Sequence, residues 1–209
     1  MAFETILFEV RNQIAWVTMN RPESMNAINR LMARELVDAC KQIEDDAAIR
    51  VAIFTGAGDR AFSAGMDLKE RAETSFSPIE RRNQKLSQTI HTQSRAIGSM
   101  TKPTIAAIRG YCVGGGLEMA LACDLRVAAD DAKIGLAEVR RGLIPGAGGT
   151  QRLPRAVGVS KALEICLTGD NVSGADAERL GLVNKAVAAA EVNKAAEDFA
   201  NRILKGAPM

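Results

Sequence analysis

Residues 104–149 read TIAAIRGYCVGGGLEMALACDLRVAADDAKIGLAEVRRGLIPGAGG, and this stretch decides the fold. It opens with an apolar run, Ile105, Ala106, Ala107 and Ile108, of the length and character of a buried strand. Gly114, Gly115 and Gly116 follow, and 117–123 is a run of good helix formers. Strand, glycine turn and helix start together make a binding geometry. The first N–H groups of a helix have no partner inside it and sit at the positive end of its dipole. Glycines let a ligand approach that backbone without meeting a Cβ. The amides near Gly115 can therefore hold an anion, or a carbonyl oxygen gaining negative charge.

Glu118 falls in the first turn of this expected helix, and Glu138 follows twenty residues later. Between them lie a second apolar run (125–129) and a short turn (129–132), so two strand-like passages with a helix between could bring both carboxylates to one site. Paired carboxylates beside an oxyanion site suit acid/base chemistry on a carbonyl compound. The plainer reading of Glu118 is a solvated acid favoured by the helix N-terminus.

Upstream, 3–19 reads as two strands with a turn at 11–13, the second of them (Ile14, Ala15, Trp16, Val17) apolar enough for the interior. In 27–46, Met32, Leu36, Cys40 and Ile43 fall on one helical face. The run 51–54 reads as a buried strand. The loop 59–68 after it stands where α/β sheets bind ligands, although a plain connector is the ordinary reading of such a loop. A long helix is expected over 78–100, with Leu86, Ile90 and Ile97 on its narrow apolar face and His91, a boundary or surface histidine, beside it. Downstream, 150–157, 160–167 and 173–180 read as short helices, with Ser173 as an N-cap, and 182–183 as a brief strand. An amphipathic helix over 188–205 gives a helical appendage. Alternating strands and helices mean an α/β fold with a mainly parallel sheet.

Composition narrows the function. With 209 residues, 47% hydrophobic, the chain supports one core with a small addition. A net charge of +2 gives no push toward nucleic acid or anionic membrane. Four scattered cysteines (Cys40, Cys112, Cys123, Cys166) and a single histidine leave no zinc spacing, and buried reduced thiols point to the cytosol. No signal peptide or membrane-spanning run is read. The spacing of Gly110 and Gly115 matches a P-loop, but Gly116 and Leu117 stand where Lys and Ser/Thr are needed. The G-x-G-x-x-G and G-x-S-x-G patterns are missing. Cys123 reads as core rather than nucleophile.

Four blocks nevertheless resemble one family: NRPESMNAI (20–28), AFSAGMDL (61–68), GYCVGGGLEMALACDLRVA (110–128) and AEVRRGLIPGAGGTQRLPRAVG (137–158), with LTGDNVSGADAERLGLVNK (167–185) also fitting. In this order and spacing they resemble the crotonase superfamily, most of all its enoyl-CoA hydratases. The resemblance implies a spiral of ββα units, here a core over 1–187 and the start of a helical C-terminal region over 188–209. It implies an acyl-CoA thioester substrate, with coenzyme A part of the substrate, no separate cofactor and no metal. It implies an oxyanion hole from the Ala64 and Gly115 amides, and catalysis by Glu118 and Glu138. Met25, Ala27, Ala64, Gly65, Met66, Asp67, Leu68, Gly114 and Gly115 would line the thioester and CoA. The implied reaction is syn addition of water to a trans-2-enoyl-CoA, in fatty-acid metabolism or a related route, by a cytoplasmic homotrimer or dimer of trimers. Alternatives are another crotonase reaction, double-bond isomerisation or thioester hydrolysis, and a non-catalytic CoA-binding or assembly protein. Acyl-chain length would depend on 70–82 and on the stretch that family members carry beyond the position of Met209. That stretch closes over the acyl pocket and packs between subunits.

Overall fold

The protein is described by a computed structural model over residues 3–73 and 92–207. Its logic is set by how consecutive strands are shared between two sheets. A six-stranded sheet runs β1-β2-β3-β5-β7-β10, and a four-stranded sheet runs β4-β6-β8-β9. Strands β1 (Ile6–Arg11) and β2 (Ile14–Met19) form an antiparallel hairpin. Asn12 and Gln13 make its turn at positive φ, which a two-residue hairpin of matching twist requires. Then β3 (Val51–Gly56), β5 (Thr104–Ile108) and β7 (Leu125–Ala129) join β2 in parallel, each leaving the next strand to the small sheet. Those next strands are β4 (Ala61–Ser63), β6 (Tyr111–Val113) and β8 (Lys133–Gly135), also parallel. The small sheet ends in β9 (Val172–Ser173), antiparallel to β8, and the large one in β10 (Lys185–Val187), parallel to β7. The result is the expected α/β spiral of repeated units.

Helices cover the large sheet because their apolar stripes match it. In α1 (Arg30–Asp45), Met32, Leu36, Cys40 and Ile43 are buried, and the Asn29 side chain caps the start by accepting the Met32 N–H at 2.8 Å. The expected start at 27 moves to Arg30, because 20–28 is held in a loop. Next come α2 (Leu68–Glu73) and α3 (Thr92–Gly98), the described part of the helix expected over 78–100; the rest, with His91, lies outside the described residues. Helix α4 (Gly115–Ala120) begins at the glycines themselves, two residues earlier than read from sequence. It is followed by α5 (Gly149–Val157), α6 (Val159–Thr168), α7 (Gly174–Arg179, capped by Ser173) and α8 (Val192–Leu204).

Two expectations change. Leu182 and Val183 are not a strand: both amides bond back to the Ala177 carbonyl, closing a buried turn after α7, and the strand comes later as β10. Helix α8 is not an appendage. Val192, Ala195, Ala196 and Ala200 are buried and the helix lies over β3, β5 and β7. Small side chains let it approach the sheet closely, and Arg50 donates to the Leu204 and Gly206 carbonyls at its end.

Candidate active site

Strands β4 and β6 pair in parallel, so the loop after β4 lies beside the turn after β6. A Cβ on Gly65 would stand 2.9 Å from the Gly115 nitrogen, and one on Gly116 2.4 Å from the Ser63 carbonyl oxygen. Only a backbone without side chains closes this corner. The Gly115 amide, first of α4, has no backbone acceptor among the described residues, as a first helical N–H requires.

The neighbouring loop is held by its own polar groups. Fully buried Asn26 accepts the Arg21 amide (3.0 Å) and donates to the carbonyls of Ala57 (3.0 Å) and Ala61 (2.8 Å). Ser63 Oγ donates to the Asn26 carbonyl at 2.8 Å and accepts the Gly65 amide at 3.1 Å. Arg21 Nη1 donates to the Ala27 carbonyl (2.7 Å) and to Asp67 (2.8 Å). Asp67 also accepts the Lys69 and Glu70 amides at the start of α2. Burial would raise its carboxyl, but the Arg21 and backbone hydrogen bonds outweigh that and hold it below the usual range.

One reading of this loop needs correction. The Ala64 amide donates to the Met25 carbonyl at 2.9 Å, so it is a structural tie and is not aimed at a ligand. The Met66 nitrogen lies beside the glycine corner, 3.6 Å from where a Cβ on Gly115 would sit. The Asp67 carboxylate, expected among the CoA-lining residues, has its own partners in Arg21 and the start of α2. Of the other expected lining residues, Met25 and Met66 are half-buried, Ala27 is buried and Leu68 is exposed. Asn26, Ser63 and Arg21 were not singled out as functional; their only sequence signal was membership of the matched blocks.

Glu118 and Glu138 meet on the other side. Glu118 is 2% exposed, and its Oε1 accepts the Ala147 and Gly149 amides at 2.7 and 2.8 Å. Burial pushes its carboxyl up; the Gly149 and Ala147 amides and the charge of Arg152 pull back without cancelling the rise. Glu138 opens a 3-10 turn, Glu138–Arg141, and its Oε1 lies 3.3 Å from where a Cβ on Gly114 would stand. Its Oε2 is buried without a hydrogen-bond partner. Burial raises this carboxyl to about 6; its own backbone N–H works against the rise and the charge of Glu118 adds to it. One carboxylate anchored by two amides and one proton-holding carboxyl therefore lie beside the turn that presents the Gly115 N–H. That set can move a proton while stabilising an oxyanion.

Nothing competes with it among the described residues. No group of three or more His, Cys, Asp or Glu there could hold a metal ion. Cys40, Cys112 and Cys123 are buried, and burial pushes the thiols of Cys40 and Cys123 up to about 12, which leaves no thiolate to act as nucleophile.

The comparisons with known proteins agree with this geometry. The profile of the family described as "Enoyl-CoA hydratase/isomerase" matches residues 9–209. The chain is 47% identical over 200 residues to the enoyl-CoA hydratase domain-containing protein 2, mitochondrial, of Bos taurus, covering 94% of this chain and 66% of that protein. It is 42% identical over 205 residues to the crotonyl-CoA hydratase of Syntrophomonas wolfei, covering 98% of this chain and 77% of that one. The crystal structure of an enoyl-CoA hydratase from Bacillus anthracis superposes with a TM-score of 0.91 at 38% identity, over 98% of this chain and 78% of that one. The chain thus spans just under two thirds of the bovine relative's length and more than three quarters of the bacterial ones.

Proposed function

The chain belongs to the enoyl-CoA hydratase/isomerase family, and on that footing we propose that it is an enoyl-CoA hydratase, adding water reversibly to a trans-2-enoyl-CoA to give the 3-hydroxyacyl-CoA. The observation that carries the reading is the pair of carboxyl groups, Glu118 and Glu138, set beside the Gly114–Gly115 turn. The relatives named for this reaction, at 42% identity for crotonyl-CoA hydratase, support it.

The thioester oxygen docks at the glycine corner and accepts the Gly115 amide. The second donor in this reading is the Met66 amide, in place of Ala64. These N–H groups stabilise the enolate-like charge that grows on the oxygen as water adds, and losing one such donor costs about 3 kcal/mol of barrier. Glu118, fixed through Oε1, uses its other oxygen to hold the water and takes its proton as the hydroxyl joins Cβ. Glu138 holds the same water and delivers a proton to Cα; with a carboxyl raised to about 6 it exchanges protons readily near neutral pH. Water's oxygen and one hydrogen go to Cβ and one proton goes to Cα without redox chemistry; Glu118 ends protonated and Glu138 ionised, and proton exchange with solvent resets the pair before the next turnover. Coenzyme A enters as part of the substrate, with the side chains of Met25, Ala27, Met66 and Leu68 and the backbones of Gly65 and Gly114 in the lining.

The working assembly in this reading is a homotrimer or a dimer of trimers. Val159, Leu163 and Leu167 make an apolar stripe along α6, exposed by 66%, 52% and 69%, the kind of contiguous apolar face a partner subunit would cover. A cytoplasmic location fits the free cysteines, and no described helix is long and apolar enough to cross a membrane. The test is loss of enoyl-thioester absorbance with crotonyl-CoA, followed across chain concentration with sedimentation in parallel. Turnover that rises with the trimer fraction is expected. Binding of CoA without any turnover would leave a binding module, and turnover by a purely monomeric chain would remove the assembly.

A further inference from the structure

No step above uses Arg152, yet its position is unusual for a surface cation. Its Nη1 donates to the Ala147 carbonyl at 2.9 Å, within the short loop that supplies both amides to Glu118. Its own amide donates to the Gly148 carbonyl at 2.8 Å, in the first turn of α5. Backbone and side chain of one residue thus grip two successive carbonyls, Ala147 and Gly148. Of the amides directed at Glu118, that of Gly149 belongs to the same peptide bond as the gripped Gly148 carbonyl, and that of Ala147 to the bond just before the gripped Ala147 carbonyl.

We infer that Arg152 is a positioning residue for the hydration: it locks the 147–149 loop so that the Ala147 and Gly149 amides converge on Glu118 Oε1 and leave the other carboxylate oxygen for water. This rests on the hydratase reading. Helix α5, opened by Gly148, has no side-chain cap at its start; the Gln151 amide shares the Gly148 carbonyl at 3.0 Å, and it is the Arg152 side chain that holds the Ala147 carbonyl. Fixing a catalytic carboxylate to within a fraction of an ångström matters for rate, because a reacting group displaced by about 1 Å can cost on the order of 100-fold. The guanidinium acts a second way through its charge. The charged or titratable groups that face Glu118 are Arg152 on α5, Glu138 on the 3-10 turn and Cys166 on α6. Among the described residues Arg152 is the one cation of this set, and it favours the ionised base.

The surroundings make the inference testable without unfolding the protein. Arg152 borders an open cavity of about 520 Å³ shared with Arg95, Gln151 and Arg155. Shortening the side chain admits water to the Ala147 carbonyl, so the carbonyl keeps a partner while the loop loses its lock. The experiment compares wild type, Arg152→Gln and Arg152→Lys by kcat and KM for crotonyl-CoA across pH, by melting temperature, and by ¹³C NMR titration of glutamate-labelled protein. Glu118 is assigned there by the signal missing in Glu118→Gln. The expected result for Arg152→Gln is a kcat lower by roughly 10- to 100-fold, KM little changed, the acid limb and the Glu118 titration both moved to higher pH, and partial recovery in Arg152→Lys. An unchanged kcat overturns the inference. So does a loss of activity that follows the melting temperature while the Glu118 titration stays in place. If wild type itself fails to hydrate crotonyl-CoA, the hydratase reading falls, and the carboxyl titration still decides whether Arg152 governs Glu118.

Discussion

The two walls of the cleft are built in opposite ways. On one, formed by 20–28 and 61–68, Asn26, Ser63, Arg21 and Asp67 satisfy one another and the local backbone, and even the Ala64 amide is tied off. On the other, formed by 138–149, Glu138 keeps a buried oxygen with no partner, and the loop carries Ile144 at 81% exposure. In the proposed hydration the charge would develop against the first wall, where fixed dipoles are worth most because they need not reorganise. Protons would move at the second, where a carboxyl must change state and a fully satisfied one would resist. In this molecule rigidity and unfinished hydrogen bonding are divided between neighbouring loops.

That contrast can be broken by substitution. The largest effect belongs to the proton-moving wall: Glu118→Gln keeps the shape and removes the base, and kcat should fall about 10²–10⁴-fold in the crotonyl-CoA assay with little change in urea unfolding. A fold that also collapsed would show that Glu118 is structural. Next comes the rigid wall. Asn26→Ala strands the Arg21 amide and the Ala57 and Ala61 carbonyls, and it places alanine at φ 52°, so unfolding in urea should show a loss of about 3 kcal/mol. Activity lost at unchanged stability would mean the wall is not held as described. The smallest effect sharpens the contrast. Glu138 is raised from 4.5 to about 6 in the folded protein, so across that window the native state holds a proton that the unfolded chain has released. Its contribution therefore falls as pH rises from about 4.5 to about 6 and stays low above. Glu138→Gln should flatten that slope and gain on the order of 1 kcal/mol at pH 7, after allowance for solvent screening of a half-exposed group. An unchanged slope of melting temperature against pH would place Glu138 in water.

Long apolar runs were readable because burial imposes a pattern: β2, β3, β5, β7 and α1 were all marked by it. Strands β4, β6 and β8 were not, since three residues are too few to show a period and each was masked by adjoining glycines. Yet the pairing of β4 with β6 is what brings Gly65 against Gly115. Asp67 stood in the sequence only as one of the lining residues, and in the fold its partner is Arg21, forty-six residues away.

By itself the sequence determined the class of fold and the glycine turn before α4, because these depend on local pattern, and it named Glu118 and Glu138 as candidates through the family resemblance. The tertiary structure alone decided which amides stay open and which are consumed. A hydrogen bond such as Ala64 to Met25, or Ala147 to Glu118, joins residues 29 to 39 positions apart, and only the path of the chain through two sheets brings them within 3 Å.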